Sequence, residues 1–89
     1  MLCTVYTNQF EKDLKKMLRR GKDSEKIKAV ITQLVSRTPL PAKYKDHPLI
    51  GNCKARRECH VEPDWLLIYR QAETKIFFER TGTHSDLFE

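Results

Sequence analysis

The stretch KARRECHVEPDWLLIYRQAETKIFFER, residues 54–80, decides the fold of this chain. It predicts three consecutive strands, at about residues 54–61, 65–70 and 74–80, because β-branched and aromatic residues recur between short turns. The middle strand is nearly all apolar, as expected of a strand that is covered on both faces. The stretch therefore predicts a three-stranded meander.

Two amphipathic helices are predicted before this meander. Apolar residues recur there at the spacing of three and four that marks one face of a helix. They are Phe10, Leu14, Met17 and Leu18 in the first segment, and Ile27, Val30, Ile31, Leu34 and Val35 in the second. Asn8 and Glu11 predict a capping box at the start of the first helix, and Gly21 predicts its end. Asp23 or Ser24 is expected to cap the second helix, so the two segments predict a helical hairpin.

The order of all elements predicts an α+β fold. A short β-prone segment at residues 2–6 precedes the hairpin, and the proline-containing residues 38–52 predict an ordered, irregular loop. Thr83 is expected to cap a short C-terminal helical turn. The order β-α-α-β-β-β predicts one small sheet with the hairpin packed on one face. No linker or repeat divides the chain, so we expect a single domain, residues 1–89, whose open sheet face serves function.

Composition favours a protein that meets phosphates or an acidic partner. The 89 residues include 17 Lys and Arg against 12 Asp and Glu, which gives a formal net charge of +5. No apolar run approaches the roughly 18 residues that cross a bilayer, and the N-terminal residues lack the pattern of a secretory signal. We therefore expect no membrane partner and a cytoplasmic location. The three cysteines form no Cys-x-x-Cys pair, which argues against a disulfide framework and a thiolate zinc site.

The first strand of the meander carries a polar face. Its two-residue period places Lys54, Arg56, Glu58 and His60 on one side of the sheet. Such a face can bind a phosphate and transfer a proton, because imidazole titrates near neutral pH. An exposed charged edge explains this strand equally well.

Two further histidines lie near turns. His84 follows the last strand closely enough to approach Arg80, whose guanidinium suits the spread charge of a pentacovalent phosphate. Alternatively, Arg80 forms an ion pair with Glu79 or Asp86. His47 lies in the irregular loop, where it either closes over the site or hydrogen-bonds to backbone.

Asp64 and Trp65 begin the middle strand of the meander. Asp64 is a candidate to orient a histidine, and Trp65 is a candidate to stack on a base, although a tryptophan in such a strand is more often part of the core. No histidine pair has the short spacing of a typical zinc site, so we predict no metal and no other cofactor. Glycine-rich phosphate loops and motifs of Ser or Cys nucleophiles are absent from the sequence.

The chain resembles a known family over nearly its whole length. The most specific stretches are YKDHPL at residues 44–49, RECHVEPDWLLIY at residues 57–69 and ERTGTHSDLF at residues 79–88. These stretches resemble the RelE/ParE toxin superfamily and, within it, the YafQ-like messenger-RNA endoribonucleases of bacterial toxin–antitoxin modules. A RelE-like fold is therefore expected.

The resemblance also implies a reaction and a set of site residues. The family cleaves mRNA without metal in the ribosomal A site, where the ribose 2′-hydroxyl attacks the adjacent phosphate and expels the 5′-oxygen. The positions that correspond to its catalytic and RNA-contacting residues are His47, His60, Asp64, Trp65, His84 and Phe88. We expect His60 or His47 to be the base and His84 the acid, with Arg80 and Lys54 neutralising the phosphate and Arg56 joining them in RNA binding. Trp65 and Phe88 are expected to hold bases.

The implied partners are mRNA on the ribosome and a cognate antitoxin that neutralises the toxin. We expect the free toxin to be a monomer and its complex with the antitoxin to be a hetero-oligomer. Two alternatives belong to other functional classes. One is a non-catalytic gyrase inhibitor that resembles the ParE branch, and the other is a basic RNA-binding module without turnover.

Overall fold

A five-stranded sheet organises the molecule. The structure is a computed structural model that describes residues 2–49 and 56–88. Its strands are β1 (Cys3–Tyr6), β2 (His47–Pro48), β3 (Arg56–Glu62), β4 (Trp65–Gln71) and β5 (Lys75–Gly82). Their order across the sheet is β1-β5-β4-β3-β2; β1 pairs with β5 in parallel, and the other pairs are antiparallel. The predicted meander is confirmed, and the predicted first strand joins it at the edge of β5.

The predicted helical hairpin is present as α1 (Asn8–Arg19) and α2 (Ser24–Val35). The capping box was predicted one residue too late, because Thr7 caps α1 and its hydroxyl accepts a hydrogen bond from the Phe10 amide at 3.0 Å. Gly21 ends this helix with a φ of 91°, as predicted. Asp23 caps α2 by accepting a hydrogen bond from the Glu25 amide.

Both helices cover one face of the sheet and form the core with it. The buried residues of this core are Leu2, Phe10, Met17, Ile27, Val30, Leu34, Cys59, Val61, Trp65, Leu67, Tyr69, Ile76 and Phe78. Leu18 was predicted to belong to the apolar face of α1, but it is 39% exposed. Asp13 is buried in the same helix, where its carboxylate accepts hydrogen bonds from Arg80 and from the Thr81 amide.

The segment predicted to be an irregular loop contains two short regular elements. A 3₁₀ turn at Ala42–Tyr44 is followed by β2, which pairs with β3 so that His47 lies opposite Glu58. The strand β2 has only two residues, and one of them is a proline. No alternation of apolar and polar residues could therefore mark it in the sequence. Residues 50–52 of the predicted loop lie outside the described residues.

The opposite face of the sheet carries the polar residues. Leu66 and Ile68 of β4 lie on this face between β3 and β5, and both are buried. The pairing of β4 with β5 shifts by one residue between Ile68 and Tyr69. A last helix, α3 (His84–Phe88), follows β5 as predicted. None of the helices within the described ranges is long and apolar enough to cross a membrane.

Candidate active site

The fold brings all three histidines to one end of the open sheet face. The ring centroids of His60 and His84 lie 6.0 Å apart. His47 approaches from the other side, and its Nε2 lies 3.2 Å from the Glu58 carboxylate, which also lies 3.5 Å from Nε2 of His60. Three separate segments of the chain therefore bring their histidines together on the open face of the sheet.

Glu58 lies between the two histidines of the sheet, His47 on β2 and His60 on β3. Its side chain is only 8% exposed, between His47 and His60. The Nδ1 atoms of the two rings lie 3.0 Å and 3.2 Å from the carbonyl oxygens of Pro48 and Pro63. Those carbonyls only accept, so each Nδ1 carries a proton and each Nε2 faces Glu58. A carboxylate also only accepts, so Nε2 of either ring can hydrogen-bond to Glu58 only when that nitrogen carries a proton.

The segment that carries His47 is anchored by its neighbour Asp46. The Asp46 carboxylate accepts a hydrogen bond from the Tyr69 hydroxyl at 2.6 Å and another from Nε of Arg57 at 3.2 Å. Burial, followed by the hydrogen bond to Asp46, raises the pKa of Tyr69, so the phenol remains a donor. This network fixes the loop to the sheet immediately before β2.

Asp64 holds His84 through two hydrogen bonds. One oxygen of its carboxylate accepts from the His84 amide at 3.0 Å and faces Nδ1 of the same ring at 2.7 Å. The amide hydrogen bond and then the ring hydrogen bond lower the pKa of Asp64, which keeps it ionised. Nδ1 therefore donates to Asp64, and Nε2 is left for a substrate. The exposed Phe88 ring lies 6.4 Å from the His84 ring, between centroids.

Asp86 fastens α3 to the rest of the molecule. Its carboxylate accepts from Arg20 at 2.7 and 3.1 Å, from Lys16 at 3.3 Å and from the Thr83 amide at 3.0 Å. The Arg20 hydrogen bond, followed by that of the Thr83 amide, holds the pKa of Asp86 well below its usual range. A Cβ added at Gly82 would lie 3.0 Å from Cβ of Asp86, which is closer than ordinary van der Waals contact. We call these contacts of Asp86 the α3 clamp.

Arg80 lies beside this site, and it forms an ion pair with a residue that the sequence did not suggest. Its Nε donates to the Asp13 carboxylate at 2.7 Å, and its side chain remains 38% exposed. Neither Glu79 nor Asp86, the two partners considered from the sequence, forms this ion pair. Asp13 could not be recognised in advance, because a single acidic residue in α1 carries no sign that it faces the edge of β5.

Trp65 is part of the core and is not a surface for base stacking. The residue is 0% exposed, and its indole nitrogen donates to the Thr81 hydroxyl at 2.9 Å. The prediction that Trp65 contacts RNA is therefore wrong for this structure, since no ring surface reaches solvent. The alternation of β4 places Trp65 on the face that packs against the helices.

The remaining predicted RNA contacts lie farther along β3. Arg56 forms an ion pair with Glu79, and Arg70 lies 3.6 Å from the other oxygen of that carboxylate. Lys54 lies outside the described residues. Beyond His60, a groove of about 580 Å³ runs between α2 and the end of β3, and Lys26, Lys43 and Lys45 line it. Glu25 and Glu62 line the same groove, and Glu62 accepts a hydrogen bond from Lys26 at 2.7 Å, so the charge of the lining is mixed.

Three side chains of the site also have the chemistry of metal ligands. His47, Glu58 and His60 each offer one donor atom, and these atoms lie within 4.8 Å of one another. The prediction of no metal relied on sequence spacing, which does not register donors brought together by the pairing of β2 with β3. Two imidazoles and a carboxylate fit a transition-metal ion.

Neither described cysteine has the character of a nucleophile. Cys59 is fully buried, and burial raises the pKa of its thiol to about 12. Cys3 lies exposed on β1, the outermost strand beyond β5. The chemistry of the described site therefore belongs to its histidines and carboxylates.

Comparison with known sequences gives one consistent family. The family model described as "Bacterial toxin of type II toxin-antitoxin system, YafQ" matches residues 2–89. The mRNA interferase toxin YafQ of Escherichia coli strain K12 is 52% identical over 84 residues, which cover 93% of this chain and 91% of that protein.

Solved structures agree with the sequence match. YafQ in the crystal structure of the E. coli DinJ–YafQ complex superposes with a TM-score of 0.94 at 48% identity, and all of both chains is covered. A metal-bound toxin from Helicobacter pylori superposes with a TM-score of 0.93 at 43% identity, covering 99% of this chain and all of that one. The predicted RelE-like fold is confirmed by these neighbours.

Proposed function

Because the chain belongs to the YafQ family of bacterial type II toxins, we propose that it is an mRNA interferase, an endoribonuclease that cuts messages by histidine acid–base catalysis. The observation that carries this proposal is the pair of imidazoles, His60 and His84, whose centroids lie 6.0 Å apart on one face of the sheet. Each ring has its Nδ1 engaged, by Pro63 or by Asp64. A phosphodiester between the rings can therefore meet a proton acceptor on one side and a donor on the other.

The reaction proceeds by internal attack within the message. The ribose 2′-oxygen forms a bond to the adjacent phosphorus, and the bond from phosphorus to the 5′-oxygen breaks. His60 accepts the proton of the 2′-hydroxyl, and His84 donates a proton to the leaving 5′-oxygen through Nε2. The products carry a 2′,3′-cyclic phosphate and a 5′-hydroxyl. Arg80 is the cation beside this site, and it stabilises the negative charge of the phosphorane.

Glu58 supports the choice of His60 as the base. The distance from Glu58 to Nε2 of His60 is 3.5 Å, longer than the 3.2 Å to His47, so His60 has the weaker contact and is the freer to accept a proton. His47 and Glu58 then share the positive charge that develops on His60. His47 remains the other candidate for the base, because both rings face the same carboxylate.

A metal ion bound to His47, Glu58 and His60 would occupy the same lone pairs that the base needs. Lewis-acid activation of a phosphate oxygen is the chemistry that such an ion supplies. No step of the proposed reaction requires it, because the sheet residues already provide an acceptor and Arg80 a positive charge. We expect Cu²⁺ to inhibit cleavage, and activity that required added transition metal would contradict this assignment.

The partners follow from the same function. The substrate is mRNA on the ribosome, where Phe88 and Arg56 contact RNA, and the toxin acts in the cytoplasm, where translation takes place. An antitoxin comparable to DinJ, the partner of E. coli YafQ, neutralises it. One domain, residues 1–89, carries the activity, and the free toxin is a monomer that forms a hetero-oligomer with its antitoxin.

The test is cleavage of a defined message on translating ribosomes by toxin that a chelator has stripped of transition metals before transfer into Mg²⁺ buffer. We expect cuts that end in a 2′,3′-cyclic phosphate or a 3′-phosphate, and we expect His84→Ala to abolish them. Ser85→Ala, a change at the next and exposed position, is the matched control and should cut normally. If growth arrest persists without any cleavage, the protein is a binding inhibitor such as the gyrase-directed ParE branch.

A further inference from the structure

The open face of the sheet continues past the catalytic residues to an arginine stacked on an aromatic ring. The guanidinium carbon of Arg70 lies 4.1 Å from the centroid of the Phe77 ring. The strand register places Arg56, Arg70 and Phe77 in one row across β3, β4 and β5. The row formed by Glu58, Ile68 and Arg80 is the next one toward the histidines. Two residues along a strand span about 7 Å, so this stacked pair lies one step from the catalytic row.

The ion pair of Arg70 in this row is long. Arg56 and Arg70 both face the single carboxylate of Glu79. The Arg70 contact is an ion pair at 3.6 Å, and within residues 2–49 and 56–88 its guanidinium forms no hydrogen bond. Its side chain is 37% exposed. A partly exposed guanidinium with a long ion pair keeps N–H groups that can bind an anion.

Stacking on Phe77 limits the directions in which Arg70 can bind. A guanidinium donates its hydrogen bonds in its own plane, and the ring that covers one face orders that plane. Two parallel N–H groups in the plane match two oxygens of a phosphate. Backbone phosphates recur along a message, so the phosphate next to the one being cleaved must lie close to the catalytic row.

We propose that Arg70, ordered by Phe77, binds the phosphate that neighbours the cleaved bond of the message. The site takes a phosphodiester of any sequence, because a phosphate carries no base identity. This proposal rests on the proposed function, since the bound phosphate belongs to the message that is cleaved. Its role is binding, so its loss should weaken the capture of substrate and leave the chemical step intact.

The experiment measures cleavage kinetics on ribosomes programmed with short synthetic messages, for wild type and Arg70→Ala. We expect Arg70→Ala to raise KM about tenfold, the size expected for one charge-assisted hydrogen bond at a partly exposed site, with little change in kcat. Lys28→Ala removes an equal charge from α2, on the covered side of the sheet, and should leave KM unchanged. Arg70→Lys keeps the charge and loses the planar fork, so its KM should be intermediate. Phe77→Leu should raise KM by a smaller factor than Arg70→Ala.

A neutral linkage in the message identifies the phosphate. A methylphosphonate is placed in turn at each of the two linkages that flank the cleaved bond. When the neutral linkage is the one that Arg70 contacts, the KM of the wild type should rise to that of Arg70→Ala. The KM of Arg70→Ala should not rise further. An effect of Arg70→Ala that depends on the base sequence would indicate base stacking and overturn the phosphate assignment.

The two proposals fail in different ways. If the wild type cuts the unmodified message and Arg70→Ala cuts it with the same KM, the neighbouring-phosphate site is wrong and the interferase assignment stands. If the wild type cuts no message, both proposals fail together. Equal melting temperatures for wild type and Arg70→Ala are required, so that a lower concentration of folded toxin does not account for the change.

Discussion

The two halves of the site are held in place by different forces. His47, Glu58 and His60 lie on β2 and β3, so backbone pairing fixes their spacing. His84 lies on α3, a five-residue helix in which no residue is fully buried. That helix depends on Asp64 at its start and on the α3 clamp at Asp86.

This difference predicts how each half responds to change. A sheet positions side chains through many cooperative hydrogen bonds, so single surface substitutions move them little. A helix of five residues is too short to be stable alone, so α3 depends on its contacts with Asp64 and on the α3 clamp together. We call the sheet residues His47, Glu58 and His60 the base half of the site, and His84 on α3 the acid half. The base half should be sensitive to substitutions of these three residues. The acid half should be sensitive to charge, pH and close packing at Asp64 and Asp86.

Glu58→Gln should have the largest effect on activity. The amide keeps the shape of the side chain but removes the negative charge between His47 and His60. General base catalysis contributes about 10²–10⁴-fold, so we expect cleavage to fall by at least roughly 100-fold, with the melting temperature near that of the wild type. Single-turnover cleavage on ribosomes measures this. Glu73→Gln, at an exposed position, is the control, and equal rates for both variants would exclude Glu58 from the base half.

Trp65→Phe should reduce stability and leave the chemistry of both halves in place. The change removes the indole hydrogen bond to Thr81 and part of a fully buried ring. We expect the free energy of unfolding to fall by about 2 kcal/mol, from the lost hydrogen bond and the cavity together. Urea unfolding measures this, and cleavage is compared at a temperature where both proteins are folded. A large loss of kcat in the fully folded variant would instead support a direct contact with RNA.

Gly82→Ala should disturb the position of His84 through a close contact with Asp86, in addition to the backbone cost of alanine at a φ of 158°. The added methyl group would lie 3.0 Å from Cβ of Asp86 and 3.1 Å from its carboxylate, so the α3 clamp must shift. We expect cleavage to fall about tenfold, because displacement of α3 moves His84 from its position. Amide hydrogen exchange should increase in α3 and remain unchanged in β4. Gly21→Ala has no atom within 4 Å of the new methyl group, and it separates the backbone cost of losing a glycine from the contact with Asp86.

Asp86→Asn should have the smallest effect, and that effect should depend on pH. The folded protein lowers the pKa of Asp86, so the ionised carboxylate stabilises the fold above the unfolded pKa of about 3.9. This contribution is lost as the pH falls below 4 toward the folded pKa. Because Arg20 and Lys16 are partly exposed, we expect the variant to lose only about 1 kcal/mol at pH 7. A difference in stability that stayed constant from pH 7 down to pH 2 would contradict a role for the charge.

Exchanging the charges of Arg20 and Asp86 tests whether their ion pair alone holds α3. Arg20→Asp combined with Asp86→Arg restores the pairing across α1 and α3 but loses the Thr83 hydrogen bonds to the carboxylate. Activity should recover only in part relative to the single Asp86→Arg variant. Full recovery would show that the ion pair alone holds α3.

Local sequence signals predicted most of the fold. The three-residue and four-residue spacing of apolar side chains placed α1 and α2, and Gly21 and Asp23 marked their boundaries. Alternation along β3 placed Glu58 on the same face as His60, although the sequence gave no reason to assign it a role. Thr7 in place of Asn8 as the cap of α1 shows the usual limit, because neighbouring capping residues are distinguished only by backbone geometry.

The sequence by itself determined the elements, the basic character and the identity of the histidines, because periodicity, charge and residue type are properties of local stretches. Tertiary structure decided which residues meet: His47 with Glu58 through β2, Asp86 with Arg20 across 66 residues, and Arg80 with Asp13. It also decided that Trp65 lies in the core, since the helices cover the face of β4 on which it falls. Contacts between residues far apart in the chain depend on strand register and helix packing, and no local pattern encodes either of them alone.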